Sequence, residues 1–201
     1  MIIKEKSIKT YVGLQRVLNY IFSKHTVANP EQFTYRRFIK GDRIFEQRLK
    51  SCGNVLEPTS IVMEQRLQNI LDQFCSNDGL RKRKLKGETK FYHCVISFSK
   101  KDQLLKDDLL NVTKEYVKRR FPKSIVIALN HNDTKHQHIH LIGSNVEYAL
   151  GTTRYLTKLE FSKIKLAMEQ WQDRELQLVH SRIDHTKKKH KFLLMPNIRS
   201  I

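Results

Sequence analysis

Residues 131–142 read HNDTKHQHIHLI and hold four of the chain's nine histidines within ten positions. Residues 137–145, QHIHLIGSN, have the length and apolar content of a strand. In a strand, alternate side chains leave the same face roughly 6.5–7 Å apart. His136, His138 and His140 therefore face one way, and Ile139 and Leu141 face the other, where a core would lie. A sheet built like this shows ligands to a solvent-facing site on one side. Two ligands from one strand and a third from nearby make a three-coordinate metal site with positions left for water and substrate. His131, across the short NDTK connection, can supply the third. His136 competes on alternation alone, and its place at the strand entrance leaves its direction open. Asp133 lies between them as an acceptor for a histidine N–H or as a base.

The rest of the chain supplies the scaffold for that strand. Leu14, Val17, Leu18, Ile21 and Phe22 make the apolar stripe of a helix over 13–24, and Met63, Leu67, Ile70, Leu71 and Phe74 make another over 60–75. Residues 29–56 have no clear period and read as loop with short elements. Strands are predicted at 90–98 and 124–130, with a helix over 102–121 between them that turns Leu109, Thr113, Tyr116, Val117 and Phe121 inward. Thr157 and Glu160 form a capping box, with Leu156 and Phe161 as its staple, opening a last helix that runs to about residue 178. The expected class is α+β: a central antiparallel sheet with the histidines on a central strand, and helices packed on it as a two-layer sandwich. At 201 residues one domain is expected, over 1–180, followed by a basic tail over 181–201.

Charge narrows the partner. Lys and Arg number 38 against 20 Asp and Glu, a net +18 with an isoelectric point near 9.9. Nucleic acid is the natural counterpart, ahead of a membrane surface. Arg81, Lys82, Arg83 and Lys84 open the densest basic run, and Phe91 and Tyr92 beyond it could stack on bases. The three cysteines, Cys52, Cys75 and Cys94, have no metal-finger spacing and do not suggest a disulfide framework. No stretch approaches the roughly 18 apolar residues needed to cross a bilayer. A cytoplasmic location without membrane insertion is expected.

HNDTKHQHIHL resembles the third motif of the relaxases, the HUH-type endonucleases of plasmid mobilisation and conjugation, in its MobP-type form HxDxxxxHxH. His131, Asp133, His138 and His140 each fill their place in it. The resemblance implies that the three histidines hold a divalent metal which grips the scissile phosphate of single-stranded DNA. Softness favours Mn, Zn, Ni or Co on an all-imidazole site, while abundance and the family's habits keep Mn and Mg foremost.

Such enzymes need a tyrosine nucleophile, which forms a 5′-phosphotyrosine and leaves a 3′-OH. The seven tyrosines are Tyr11, Tyr20, Tyr35, Tyr92, Tyr116, Tyr148 and Tyr155. Tyr11 falls on the apolar stripe if the first helix reaches back that far. Tyr20 lies just outside the stripe, with Arg16 and Lys24 one turn before and after it, which suits an incoming phosphate. LQRVLNYIFSK is similar to the first MobP-type motif, whose tyrosine is the nucleophile. The resemblance thus implies a relaxase that nicks one strand at an origin of transfer, oriT, in a bacterial cytoplasm. An adjacent DNA hairpin, accessory relaxosome proteins and a coupling protein would be its partners. One alternative is a rolling-circle replication initiator using Tyr155 of YLTK, although Tyr155 precedes the capping box at Thr157. The other is a non-catalytic basic DNA-binding module with a structural metal.

Overall fold

A computed structural model describes residues 1–23, 32–40, 43–49, 60–131 and 136–182 of the 201. The chain runs β1 (Ile2–Ile8), α1 (Tyr11–Ser23), β2 (Thr34–Lys40), β3 (Arg43–Leu49), α2 (Ser60–Gly79), β4 (Phe91–Ser97), α3 (Lys106–Arg120), β5 (Val126–His131), β6 (His138–Ser144) and α4 (Lys158–Glu175). The six strands form one sheet in the order β1-β4-β6-β5-β2-β3. Every neighbouring pair is antiparallel. The α+β class, the antiparallel sheet and the central place of the histidine strand agree with the sequence pattern.

Strand alternation divides the interior into two cores. Ile139 and Leu141 of β6 join Val126 and Ala128 of β5, Cys94 and Ile96 of β4, and the inner faces of α3 and α4. Ile142 of β6, Ile127 and Leu129 of β5, and Phe91 of β4 lie under Leu14, Leu18 and Ile21 of α1 and Ile70 and Phe74 of α2. Helices cover both faces, so the sandwich has three layers where two were expected. The reason is visible in β5, whose VIALNH sequence is buried at every position and has no polar face to leave in water.

The chain departs from its sequence-based outline at β1, at the β2–β3 hairpin and at the ends of its helices. β1 was not anticipated, because its lysines interrupt the apolar pattern of an edge strand. The aperiodic stretch before α2 contains the β2–β3 hairpin. In it Arg37 bonds Glu46 at 2.6 Å and Phe38 stacks on Phe45 with ring centroids 6.0 Å apart. The first helix starts two residues earlier than predicted, where the Thr10 hydroxyl accepts the Gly13 N–H at 3.0 Å. The capping box opening α4 is present, with Glu160 N–H on Thr157 Oγ1 and Thr157 N–H on Glu160 Oε2 at 2.7 Å.

Two interior contacts hold the sheet edge and the crossover helix together. Arg120, 1% exposed at the end of α3, makes a bidentate pair with Glu5 of β1 at 2.9 and 3.0 Å. Its guanidinium also lies over the rings of Tyr92 and Phe121 at 4.4 and 4.5 Å. Phe121 in turn presses on β6 at Gly143, where an added Cβ would stand 2.5–2.7 Å from the ring. Only glycine fits there. Gly143→Ala is expected to destabilise the protein by about 1–3 kcal/mol through overpacking, measured as a lower urea midpoint with an unchanged slope.

Candidate metal and tyrosine site

The histidine end of the sheet is built by register. His131, the last residue of β5, is the direct partner of His138, the first of β6. His140 follows one pleat along on the same face, between Leu129 of β5 and Val95 of β4. The three rings cluster with centroids 4.7 to 5.4 Å apart. Each offers one nitrogen within 4.8 Å of the other two. His136 stands outside β6, exposed, and its Nδ1 donates to the Phe98 carbonyl at 3.1 Å. The alternation therefore ends at residue 138. Gln137 sets the entrance instead: its side-chain amide exchanges two hydrogen bonds with the Leu104 backbone at 2.9 and 3.0 Å.

Partners on the far side of each ring choose which nitrogen faces inward. A carbonyl can only accept, so His131 donates Nε2–H to Ile21 O at 2.8 Å and keeps its lone pair on Nδ1. His138 donates Nδ1–H to His136 O at 2.9 Å and keeps its lone pair on Nε2. His140 Nδ1 lies 2.9 Å from His93 Nε2, with the two rings stacked at 5.2 Å. The remaining nitrogen, His140 Nε2, is buried and meets no hydrogen-bond partner. An orphaned buried acceptor costs about 1–3 kcal/mol. A divalent ion held by His131 Nδ1, His138 Nε2 and His140 Nε2 would remove that cost, and the all-nitrogen donor set fits such an ion.

The site is recessed rather than laid open on the surface, because the histidine face is the one that α1 and α2 cover. His131 is 0%, His140 5% and His138 8% exposed. Burial, then the neighbouring rings of His131, His93 and His138, push the His140 imidazole down to about 3. Burial and then the Lys6 ammonium push His93 down to about 4. Both rings are neutral near pH 7, the state in which an imidazole ligates metal.

Tyr20 stands at the mouth. It is 51% exposed, and its ring meets His140 edge to face at 5.7 Å and 87°. It sits in the last turn of α1, where carbonyls lack helical partners. The Ser23 hydroxyl donates to Tyr20 O at 2.9 Å, and His131 donates to Ile21 O. The turn is thus tied directly to the histidine cluster.

The other candidates fall elsewhere. Tyr11 donates its hydroxyl to Asp78 at 2.9 Å, and Tyr35 and Tyr116 are buried. Tyr92 lies half-buried under Arg120. Tyr155 follows Arg154, whose N–H bonds Asn145 O just past the end of β6 remote from His138, roughly 20 Å along a seven-residue strand. The run at 81–84 lies at that same remote end, where Lys82 N–H bonds Gly151 O. Lys82, Arg83 and Lys84 are exposed there. Arg81 is not: its guanidinium is 0% exposed and paired with Asp78 at 2.6 Å and Glu88 at 3.2 Å. Phe91 is fully buried core. Arg16 is exposed on α1, one turn before Tyr20. Lys24 and Asp133 lie outside the described residues.

His93 is the site residue that sequence reasoning passed over. It stands alone in the strand KFYHCVISF, with no second ligand type at a recognisable spacing. Only the β4–β6 pairing brings it beside His140.

The family model described as "Relaxase: MobA/VirD2-like, nuclease domain" matches residues 47–176, more than half of the chain. The matched segment contains the three histidines and begins after α1. No curated protein matches the chain. Among the described residues, no helix is long and apolar enough to cross a membrane.

A metal on His140 Nε2 leaves the proton on Nδ1, which would then donate to His93 Nε2 at 2.9 Å. His93→Phe keeps the ring volume but removes the acceptor that holds His140 Nδ1–H. Calorimetric affinity for Mn is expected to fall about 10–100-fold. His93→Gln, whose amide oxygen can accept the same proton, should restore most of it.

Proposed function

Because the chain belongs to the MobA/VirD2-like relaxase nucleases, a family of DNA-nicking enzymes, we propose that it cuts one strand of DNA at an origin of transfer by tyrosine transesterification. The observation that carries this reading is the contact between the exposed Tyr20 ring and His140 of the buried histidine cluster. Among the described residues, Tyr20 is the tyrosine whose ring meets that cluster.

Tyr20 Oη attacks phosphorus as its proton leaves, the P–O3′ bond breaks, and the 3′ oxygen departs with the bonding pair and takes a proton from water to become the 3′-OH. A 5′-phosphotyrosine remains, and the 3′-OH can later reverse the step. His131, His138 and His140 would hold a divalent ion, Mn or Mg first, which would supply Lewis acidity and charge to the scissile phosphate. His131 holds the last turn of α1 through Ile21, which keeps the phenol at the mouth. His93 holds His140 in the tautomer that presents Nε2. Arg16, and Lys24 by its place in the chain, offset the charge of neighbouring phosphates. Asp133, two residues after His131, is the acceptor we assign to the phenolic proton. Lys82, Arg83 and Lys84, at the remote end of the sheet, would meet DNA away from the cut, a hairpin among the possibilities. We assign the nuclease to 1–180 and a basic tail to 181–201. The Tyr155 initiator alternative is disfavoured by the length of the sheet lying between that tyrosine and His138.

The deciding experiment offers wild type, Tyr20→Phe, Tyr155→Phe and Asp133→Asn a randomised single-stranded library with Mn, then denatures the mixture in detergent. Wild type and Tyr155→Phe are expected to retain a covalent adduct, and mass spectrometry to find the nucleotide on Tyr20. Tyr20→Phe should lose the adduct by roughly three orders of magnitude or more, with Mn and DNA affinity unchanged. Asp133→Asn should slow adduct formation without moving it. A nucleotide on Tyr155 would make the chain initiator-like. No adduct on any tyrosine would favour the binding module with a structural metal.

A further inference from the structure

The histidine cluster continues, rung by rung, into a strip of sheet that no described helix covers. Across β5, β6, β4 and β1 the register places His131, His138, Ser97 and Ile2 on one rung and Leu129, His140, Val95 and Lys4 on the next. The third holds Ile127, Ile142, His93 and Lys6. Cross-strand partners share a face. Toward β5 that face disappears beneath α1 and α2. Toward β1 it opens: Ser97, Val95 and His93 are half-buried, Lys4 and Lys6 are exposed, and Ile2 is 51% exposed.

Helix geometry puts Tyr20 on the same open side. Gln15 and Asn19 of α1 line a groove against Leu67, Gln68 and Leu71 of α2. Tyr20 is the next residue, about 100° further around the helix, and its ring meets His140. The flank of α1 that carries the phenol therefore looks over β4 and β1. Among the described residues no ion pair engages Lys4 or Lys6.

We propose that this two-strand strip is the track for the single DNA strand adjoining the scissile phosphate, with Lys4 and Lys6 on successive phosphates and Ile2 and Val95 against bases. The proposal rests on the nicking function above and names where its substrate lies. Alternate residues of β1 stand about 6.6 Å apart, a spacing commensurate with the phosphates of an extended strand. Lys4 is two strands from His140, about 9.6 Å at the usual strand separation, which is a step of one or two nucleotides from the cluster. The strip is only two strands wide between α1 and the sheet edge, too narrow to seat a duplex. Its apolar side chains can reach bases only when those are unpaired.

The test measures binding of a fluorescent oligothymidine of about 20 nucleotides across a salt series, with the full chain loaded with Mn. Neutralising two phosphate contacts to a single strand lowers the slope of log K against log salt by about 1.4. Lys4→Ala with Lys6→Ala should show that drop and about a tenfold weaker affinity at physiological salt. Ile2→Ser should weaken binding several-fold with the slope unmoved. Lys158→Ala with Lys163→Ala, exposed on α4 over the other face, should change neither. Mn affinity, equal in all variants, checks the fold. An unchanged slope for the β1 pair, or an equal drop for the α4 pair, overturns the track. Adduct formation on the randomised library separates the two claims. An adduct with an unmoved slope sinks the track alone. A slope drop without any adduct sinks the nicking reaction and leaves the track as a binding surface.

Discussion

One hydrogen bond joins the two halves of the site: His131 Nε2–H to the carbonyl of Ile21, at 2.8 Å. It satisfies a carbonyl that the end of α1 leaves without a helical partner, and it sets the tautomer of a histidine in the cluster. The net worth of such a bond is only about 1 kcal/mol. Its consequence is geometric, because the helix turn that carries Tyr20 and the strand that ends in His131 cannot move independently while it holds. The sheet register does the rest, pairing His131 with His138 and placing His140 one pleat away.

Burial of that cluster follows from the same arrangement. With helices on both faces of the sheet, the histidines fall at the end of a core of Leu129, Ile142, Leu18 and Ile21 rather than on a wet surface. The low-dielectric setting keeps His140 and His93 neutral and strengthens any charge interaction brought into it. Backbone carbonyls and another neutral imidazole are among the partners of the rings.

The excess of cations sorts into two populations once side chains are placed. Arg81, Arg120 and Lys90 are committed to Asp78, Glu88 and Glu5, where they hold loops and strands together. Lys4, Lys6 and Arg16 are exposed around the cluster's mouth, and Lys82, Arg83 and Lys84 at the remote end. Electrostatic attraction of a polyanion is therefore organised by position as well as by sum.

The sequence by itself determined the pieces with strong local signatures. HIHLI alternates, so two ligands and a core face could be read from it, and VLNYIF shows its stripe, so Tyr20 could be set apart from Leu18 and Ile21. The Thr157–Glu160 box was equally legible, since a cap is a local interaction. Everything that depends on which strand lies beside which was decided by tertiary structure. His93 became a partner of His140, Lys4 and Lys6 came to border the cluster, and Arg81 was drawn inside. A run of basic residues has no period that separates a buried ion pair from a DNA contact, and a lone histidine in a strand has no spacing to betray it. Those assignments come from pairing across strands distant in sequence, and only the folded sheet supplies that pairing.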